Sequence, residues 1–395
     1  MSVTPLTPIK PAEERGERSS LRSHLIFDPL LTLATLGLIA CSYLTLRGPS
    51  PSSAKHQVIY AAIGLVAAIV VSRFDYSRLR EYRYILYGLM IGLNLVVLGM
   101  PAIQGSHRWI PLPLFNFQSS EFGKLLLIVS LSAFAVQRAR QLHEKRTTVR
   151  LLLLALVPAV LVIPEPDIGT AIIYMGIVFL TLVFAGTPGK QLAVLIVLAA
   201  AGVAFVMVIA PAAGLHLLKP YQEQRLTAFL HSSGTCNTRT DQPCYQLHEA
   251  LIALGSGEKT GRGVFGATQA NLDFLPAAST DFVFDTLGET YGFVGAALVL
   301  SLYALMIWRT LRIVTMAKNL YGTLIAGGIL AMVMLQVFLN VGVAIGIMPV
   351  TGVPLPLMSY GGSSVVVTFL AFGLLQSIYR QARLAQAAKA RPLIA

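Results

Sequence analysis

The sequence predicts an all-α polytopic membrane protein of about ten transmembrane helices, with both termini cytoplasmic and a large outer loop between helices 7 and 8. Three observations carry this reading. Of the 395 residues, 55% are hydrophobic and only 12% are charged, about half the charged share of an ordinary soluble domain. Several apolar runs approach about 20 residues, the length that crosses roughly 30 Å of hydrocarbon. The basic residues also alternate sides: with a cytoplasmic N-terminus, about 21 of the 30 Lys and Arg fall in the inner segments 1–25, 73–83, 138–150, 187–190, 309–319 and 380–395, as the positive-inside bias requires. A single missed span would destroy that alternation.

The net charge is +12. In a soluble protein this would suggest nucleic acid, but topology accounts for it here, and no nucleic-acid partner is expected. Residues 1–25 are polar and rich in Pro, Glu and Arg, with no apolar core. They read as a disordered cytoplasmic tail rather than a signal peptide. Spans follow near 26–47, 56–73, 84–102, 121–138, 150–164, 168–186, 190–212, 283–308, 320–346 and 362–379. The transmembrane domain is thus 26–379, and 380–395 forms a basic cytoplasmic tail. Pro164 and Pro166 interrupt the fifth and sixth spans. Such breaks are tolerated only where protein or a water-filled cavity satisfies the freed backbone groups.

Four polar stretches fall outside: 103–124, 164–170, 213–282 and 340–364. The extracytoplasmic loop 213–282 is the longest, and loops beyond about 15 residues are uncommon unless functional. No inverted repeat of the transporter type is visible.

Candidate chemistry begins at Arg108-Trp109-Ile110 and Gln118 to Lys124. Ser120 and Glu121 can cap the incoming helix, and Glu121 and Lys124 share a face and can pair. Either this is a capped helix end, or the pair lines an outward cavity, since ionisable groups near a membrane interior default to function. Asp167 can cap the sixth helix. Two carboxylates, Glu165 and Asp167, in so apolar a stretch are costly unless paired or wet, and a cavity shared with Lys124 or an Arg would meet that need.

The long loop carries Arg225, Arg262 and, at its end, Ser279-Thr280-Asp281-Phe282. Thr280 or Asp281 can cap the next helix. The functional alternative makes Asp281 a general base in partly desolvated surroundings. Asp285 and Glu289 follow at four-residue intervals, and three acids on one stripe of a membrane helix are hard to explain as packing. Cys236 and Cys244 bracket a short polar insert, and a disulfide there is favoured over two free thiols in an oxidising compartment. Cys41, in an apolar run, reads as a packing residue. The stretch from Asn340 through Pro349 to Ser364 is dense in Pro and Gly. It reads as a re-entrant loop ending in an anion-binding turn, Gly361-Gly362-Ser363-Ser364.

These stretches, in this order and orientation, resemble the SEDS family of bacterial cell-wall proteins (shape, elongation, division and sporulation), whose members include RodA and FtsW. The matching residues are Arg108-Trp109-Ile110, Gln118 to Lys124, Pro166 to Ala171, Tyr245-Gln246, Gly255 to Gly263, Gln269, Leu275-Pro276, Thr280-Asp281-Phe282, Gly288-Glu289, Gly292, Asn340 and Pro349 to Ser364. Phe27-Asp28 and the Pro-Val-Thr-Gly-Val-Pro-Leu-Pro run look more like RodA than FtsW.

The resemblance implies a peptidoglycan glycosyltransferase of the bacterial cytoplasmic membrane that polymerises lipid II at the outer face. A class B penicillin-binding protein would be its partner. Asp281 matches the family's essential aspartate, and Arg108, Glu121, Lys124 and Asp167 match residues lining its cavity. Four positions depart: Ser279 stands where the family has His, Ser119 where it has Pro, Asp285 where Ala is common, and Thr290 where it has a second Glu.

The chemistry would need a base near the acceptor hydroxyl and positive charge on the departing undecaprenyl diphosphate. Asp281 suits the first role. Arg108, Lys124, Arg225 and Arg262 suit the second, with Ser363 in the anion turn and a divalent cation such as Mg or Mn as an assistant. Two rivals stand beside this reading: a flippase for lipid-linked precursors, and a non-enzymatic scaffold for a penicillin-binding protein.

Overall fold

A computed structural model describes residues 27–100, 109–111, 116–165, 167–209, 224–225, 242–272 and 274–389. Arg108, Cys236 and the tail 1–25 lie outside the described residues.

Each expected span falls on a helix. In chain order these are α1 (Pro29–Leu46), α2 (Pro51–Arg73), α3 (Arg83–Leu98), α4 (Ser119–Gln137), α5 (Lys145–Val162), α6 (Ile168–Phe184) and α7 (Gly189–Ala204), then α10 (Val283–Met316), α11 (Leu320–Ala344) and α12 (Gly362–Lys389). Six of them, α1, α2, α4, α10, α11 and α12, are long and apolar enough to cross a membrane. Two more helices, α8 (Gln242–Ser256) and α9 (Thr268–Asn271), stand inside the segment expected as a long loop. A short antiparallel hairpin, β1 (Trp109–Pro111) and β2 (Asn116–Gln118), feeds straight into α4.

The centre of the bundle is α4, α11 and α12. The surface helix α7 buries no residue, which leaves its apolar side chains for lipid. α12 lies along α2, and α10 lies against α1 and α11. Small residues permit the close approach: a side chain at Gly373 would lie 2.7 Å from the Ala68 carbonyl oxygen, the small-residue packing that joins membrane helices without a hydrophobic driving force between them.

Polar residues fix the ends. Asp28 caps α1, with Pro29 at its first position. Arg309 of α10 bonds both carboxylate oxygens of Asp28, and Gln376 of α12 accepts from the Asp28 amide at 2.7 Å. One buried carboxylate therefore joins the first, tenth and twelfth helices.

The expected tail 380–395 is helical as far as Lys389. Gln381 donates to Asp75 at 2.8 Å, and Arg380 donates to the Arg73 carbonyl at 3.0 Å. Burial pulls the Asp75 carboxyl upward, but bonds from Ser77 and Gln381 and the charge of Lys318 outweigh it and hold it below its ordinary value.

Candidate active site

The expected eighth span is not one continuous helix. Gly292 has φ 64° and ψ −160°, which divides α10 into a half-helix ending at Tyr291 and a long helix from Phe293. Only glycine adopts that conformation readily. Four backbone bonds bridge the break from the turn 257–263. Arg262 and Gly263 donate to the carbonyls of Glu289 and Thr290 (2.9 and 3.0 Å), while Phe293 and Val294 donate to the carbonyls of Glu258 and Lys259 (3.0 and 3.1 Å). The backbone groups freed by the break are thus satisfied by protein, as a membrane requires. A side chain at Gly257 would collide with the Gly288 carbonyl, so the two segments touch backbone to backbone.

Glu289 is fully buried, and its carboxylate accepts from the Gln269 and Ala270 amides at 2.9 and 3.1 Å. It caps α9, so its carboxylate is spent on backbone amides. Arg262 is exposed and donates to the Ser256 carbonyl and the Thr268 hydroxyl, so it holds this same turn.

Asp281 lies at the start of the half-helix, whose N-cap is Phe282. The expected cap by Thr280 is absent; its hydroxyl bonds the Ala277 carbonyl instead. Backbone bonds pin the approach to Asp281 from three elements. Asn340 of α11 donates to the Asp281 carbonyl at 2.8 Å, and Thr286 of α10 to the Ala278 carbonyl at 2.9 Å. From the loop 349–361, Ser359 donates to the Thr280 carbonyl at 2.5 Å, and the Tyr360 amide to the Ser279 carbonyl at 2.8 Å.

That loop is the re-entrant segment expected from its Pro and Gly content, and protein satisfies its backbone. Gln57 donates to the carbonyls of Leu357 and Ser359, Ser42 to that of Met358, Tyr303 to that of Pro356 and Asn340 to that of Val353. At its tip Gly352 has φ 69°. A Cβ there would stand 3.2 Å from Nη1 of Arg225 and 3.5 Å from Oδ2 of Asp281. Carboxylate and guanidinium therefore converge on one bare backbone position. Arg225 is half-buried, as is Asp281.

On the other side of the same tip, Gly169 packs against Thr351 and Val353. Here Asp167 caps α6. Its oxygens accept from the Thr170 amide and hydroxyl at 3.0 and 2.8 Å, the Ser120 hydroxyl at 3.0 Å and Gln118 Nε2 at 3.3 Å. Neutral donors satisfy Asp167, where the sequence suggested a cation. Ser120 is committed to this carboxylate and does not cap its own helix. Lys124 and Glu121 form the expected pair at 2.6 Å, with both side chains almost wholly buried. Lys124 bonds Glu121 alone among the described residues.

Ser363, expected in an anion-binding turn, is 1% exposed. Its hydroxyl accepts from the Gln118 amide and donates to the Asn116 carbonyl, both at 2.9 Å. Both functions of the hydroxyl are spent on tying β2 to α12. Asp285 is 1% exposed, and neither oxygen has a hydrogen-bond partner among the described residues. Cys244 is disulfide-bonded. Cys41 is free and packs at the edge of the core.

Sequence reasoning passed over Gln57 and Ser42, which hold the loop from inside apolar helices. The signal was there: a Gln buried in a membrane helix needs partners.

Fold and site together define a multi-pass membrane protein that holds a carboxylate and a guanidinium at the tip of a buried, non-helical loop. The chain belongs to the FtsW/RodA/SpoVE family, described as cell cycle proteins, and matches it over residues 23–384. It is 34% identical over 393 residues to the probable peptidoglycan glycosyltransferase FtsW of Thioalkalivibrio sulfidiphilus, with 94% of each chain covered. It is 33% identical over 359 residues to the peptidoglycan glycosyltransferase MrdB of Escherichia coli K12, covering 89% of this chain and 93% of that one. Among solved structures it resembles a chain from work on structural coordination of polymerization and crosslinking by a peptidoglycan synthase complex. The TM-score is 0.75 at 28% identity, covering 91% of this chain and 99% of that one. The rod shape determining protein RodA of Thermus thermophilus matches with a TM-score of 0.64 at 28% identity, covering 90% and 98%. FtsW and MrdB match at nearly equal identity, so the lean toward RodA has no counterpart in these likenesses.

Proposed function

We propose that this chain is a peptidoglycan glycosyltransferase of the bacterial cytoplasmic membrane. It polymerises lipid II into β-1,4-linked glycan at the outer face and works beside a class B penicillin-binding protein that cross-links the peptides. Ten spans with both termini cytoplasmic would put Asp281, Arg225 and the 349–361 loop on the outer side. The names of the relatives support the activity, and the basic inner segments support the orientation.

The observation that carries the site assignment is the convergence of Asp281 and Arg225 on Gly352. In the proposed reaction the Asp281 carboxylate takes the proton of the acceptor sugar's 4-hydroxyl. The oxygen attacks C1 of the donor sugar, the bond from C1 to the diphosphate oxygen breaks, and undecaprenyl diphosphate leaves with the electron pair. Arg225 offers that diphosphate a planar fork of donors. Pinning of the 277–282 backbone keeps the base from drifting as charge develops, which is how preorganisation lowers a barrier.

Arg262 and Ser363 are committed to structure and receive no role here. Glu121, Lys124 and Asp167 support the wall behind the tip. No three His, Cys, Asp or Glu side chains among the described residues gather as metal ligands. No step is routed through a divalent ion.

The test is glycan synthesis from lipid II by the purified protein with its penicillin-binding partner. Asp281→Asn is expected to lose about 10²-fold or more of the rate while unfolding at the parental temperature. Full activity in Asp281→Asn refutes the base assignment. Headgroup translocation in liposomes without glycan product would favour the flippase, and neither activity would favour the scaffold.

A further inference from the structure

The turn that bridges the helix break carries an unusual surface. Phe265 is 94% exposed, with Leu272 at 62% and Phe274 at 49% further along the same short segment. This segment is not loose. Four backbone bonds from the break at Gly292 hold the turn 257–263 that leads into it, the last of them at Gly263; Glu289 caps its helix α9, and Asn271 donates to the Val264 carbonyl at 2.7 Å. The turn between α1 and α2 abuts it, since a side chain at Gly48 would lie 3.2 Å from Val264 and from Asn271. A rigid element thus presents bare aromatic and aliphatic side chains.

Its depth can be worked out from two helices. The Asp28–Arg309 pair joins α1 and α10 at one level. The bond from the Tyr291 hydroxyl to the Leu44 carbonyl, at 3.1 Å, joins them at another. The two levels are 16 residues apart on α1 and 18 apart on α10, so the spacing is roughly 24–27 Å at about 1.5 Å per residue. Hydrocarbon is about 30 Å thick, which places the Gly292 break and its docked turn near the membrane boundary on the Asp281 side. The apolar outer face of α10 is continuous with it: Phe293 is 71% exposed and Val294 62%. Aromatic residues favour that depth.

We propose that residues 263–272 with Phe274 form a membrane-interface anchor that lays Phe265, Leu272 and Phe274 into the lipid leaflet beside Asp281. Docking to lipid fixes the turn, through it the half-helix of α10, and so the height of Asp281 above the hydrocarbon. The anchor does not depend on the reaction proposed above, because it is read by depth and not by catalysis.

The experiment is depth-dependent quenching of a single tryptophan at position 265. Phe265→Trp is made in a background with Trp109→Phe and Trp308→Phe, and the full-length protein is reconstituted in phosphatidylcholine–phosphatidylglycerol vesicles. Phosphatidylcholine brominated near the headgroup end of its chains is expected to quench the emission at least about twofold more than phosphatidylcholine brominated near the chain ends. Aqueous iodide should quench it weakly. Strong iodide quenching with no effect of either brominated lipid overturns the proposal, because the segment then stands in water. A blue-shifted emission that neither lipid nor iodide quenches also overturns it, because protein then covers the segment. Leu272→Trp repeats the measurement at a second site. Should the double Phe background fail to fold, subtracting the parental emission from that of Phe265→Trp alone gives the same reading.

Discussion

Replacing Gly292 by alanine tests whether the broken helix is a structural joint. The new Cβ would fall on the Gly261 amide nitrogen and stand 2.7 Å from the carbonyl carbon and oxygen of Lys259. These are backbone atoms and cannot swing aside. The φ of 64° with ψ of −160° adds a conformational cost of about 1–3 kcal/mol for a residue with a side chain. Relief comes only if the turn 257–263 lifts away, which releases up to four backbone bonds worth about 0.5–1.5 kcal/mol each. The total is of order 3–9 kcal/mol, a large part of the stability of an ordinary fold. Thermal unfolding in detergent should therefore fall by several degrees or more in Gly292→Ala. Gly88→Ala is the control, since nothing lies within 4 Å of a Cβ at that helical position; it should match or exceed the parent by up to about 1 kcal/mol. Equal unfolding of Gly292→Ala and the parent would show that the turn does not depend on the break.

Two further substitutions probe buried charge. Lys124→Met removes the cation from a pair with almost no solvent exposure and leaves Glu121 uncompensated, so a loss of about 3–5 kcal/mol is expected in denaturant or thermal unfolding. Restoring most of that loss with Glu121→Gln in the same chain would confirm the cause, and no loss in Lys124→Met would refute it. Asp285→Ala removes a buried carboxyl whose oxygens have no partner among the described residues. It should raise stability by about 1–3 kcal/mol, and a clear loss would mean that Asp285 has a partner the fold depends on.

The bundle was legible because lipid imposes a simple code: long apolar runs, and basic residues on one side. Hydropathy does not register backbone geometry, which is why the eighth span read as one helix although Gly292 interrupts it. The basic end of α12 read as a tail because its charges hide a helix-favouring composition, Leu384-Ala385-Gln386-Ala387-Ala388-Lys389.

At the site, residue types were found more readily than their partners. Asp281 and Arg225 were singled out, but their meeting at Gly352 depends on a loop far along the chain. Asp167 looked like a carboxylate in need of a cation, because Gln118, Ser120 and Thr170 are weak signals one by one. Ser363 looked like an anion site because a Gly-Gly-Ser turn exposes amides in isolation. β2 then claims its hydroxyl.

The clamp on the 349–361 loop has a bearing on how the chain is made. Gln57 and Ser42 enter the membrane early in synthesis, yet their partners Leu357, Met358 and Ser359 emerge some 300 residues later. Asp28 likewise waits for Arg309 and Gln376. Until the last helix inserts, the first hairpin carries polar groups in lipid without their native bonds. A chain that stops short of the 349–361 loop and α12 would therefore hold Ser42, Gln57 and Asp28 without the bonds that satisfy them in the complete fold.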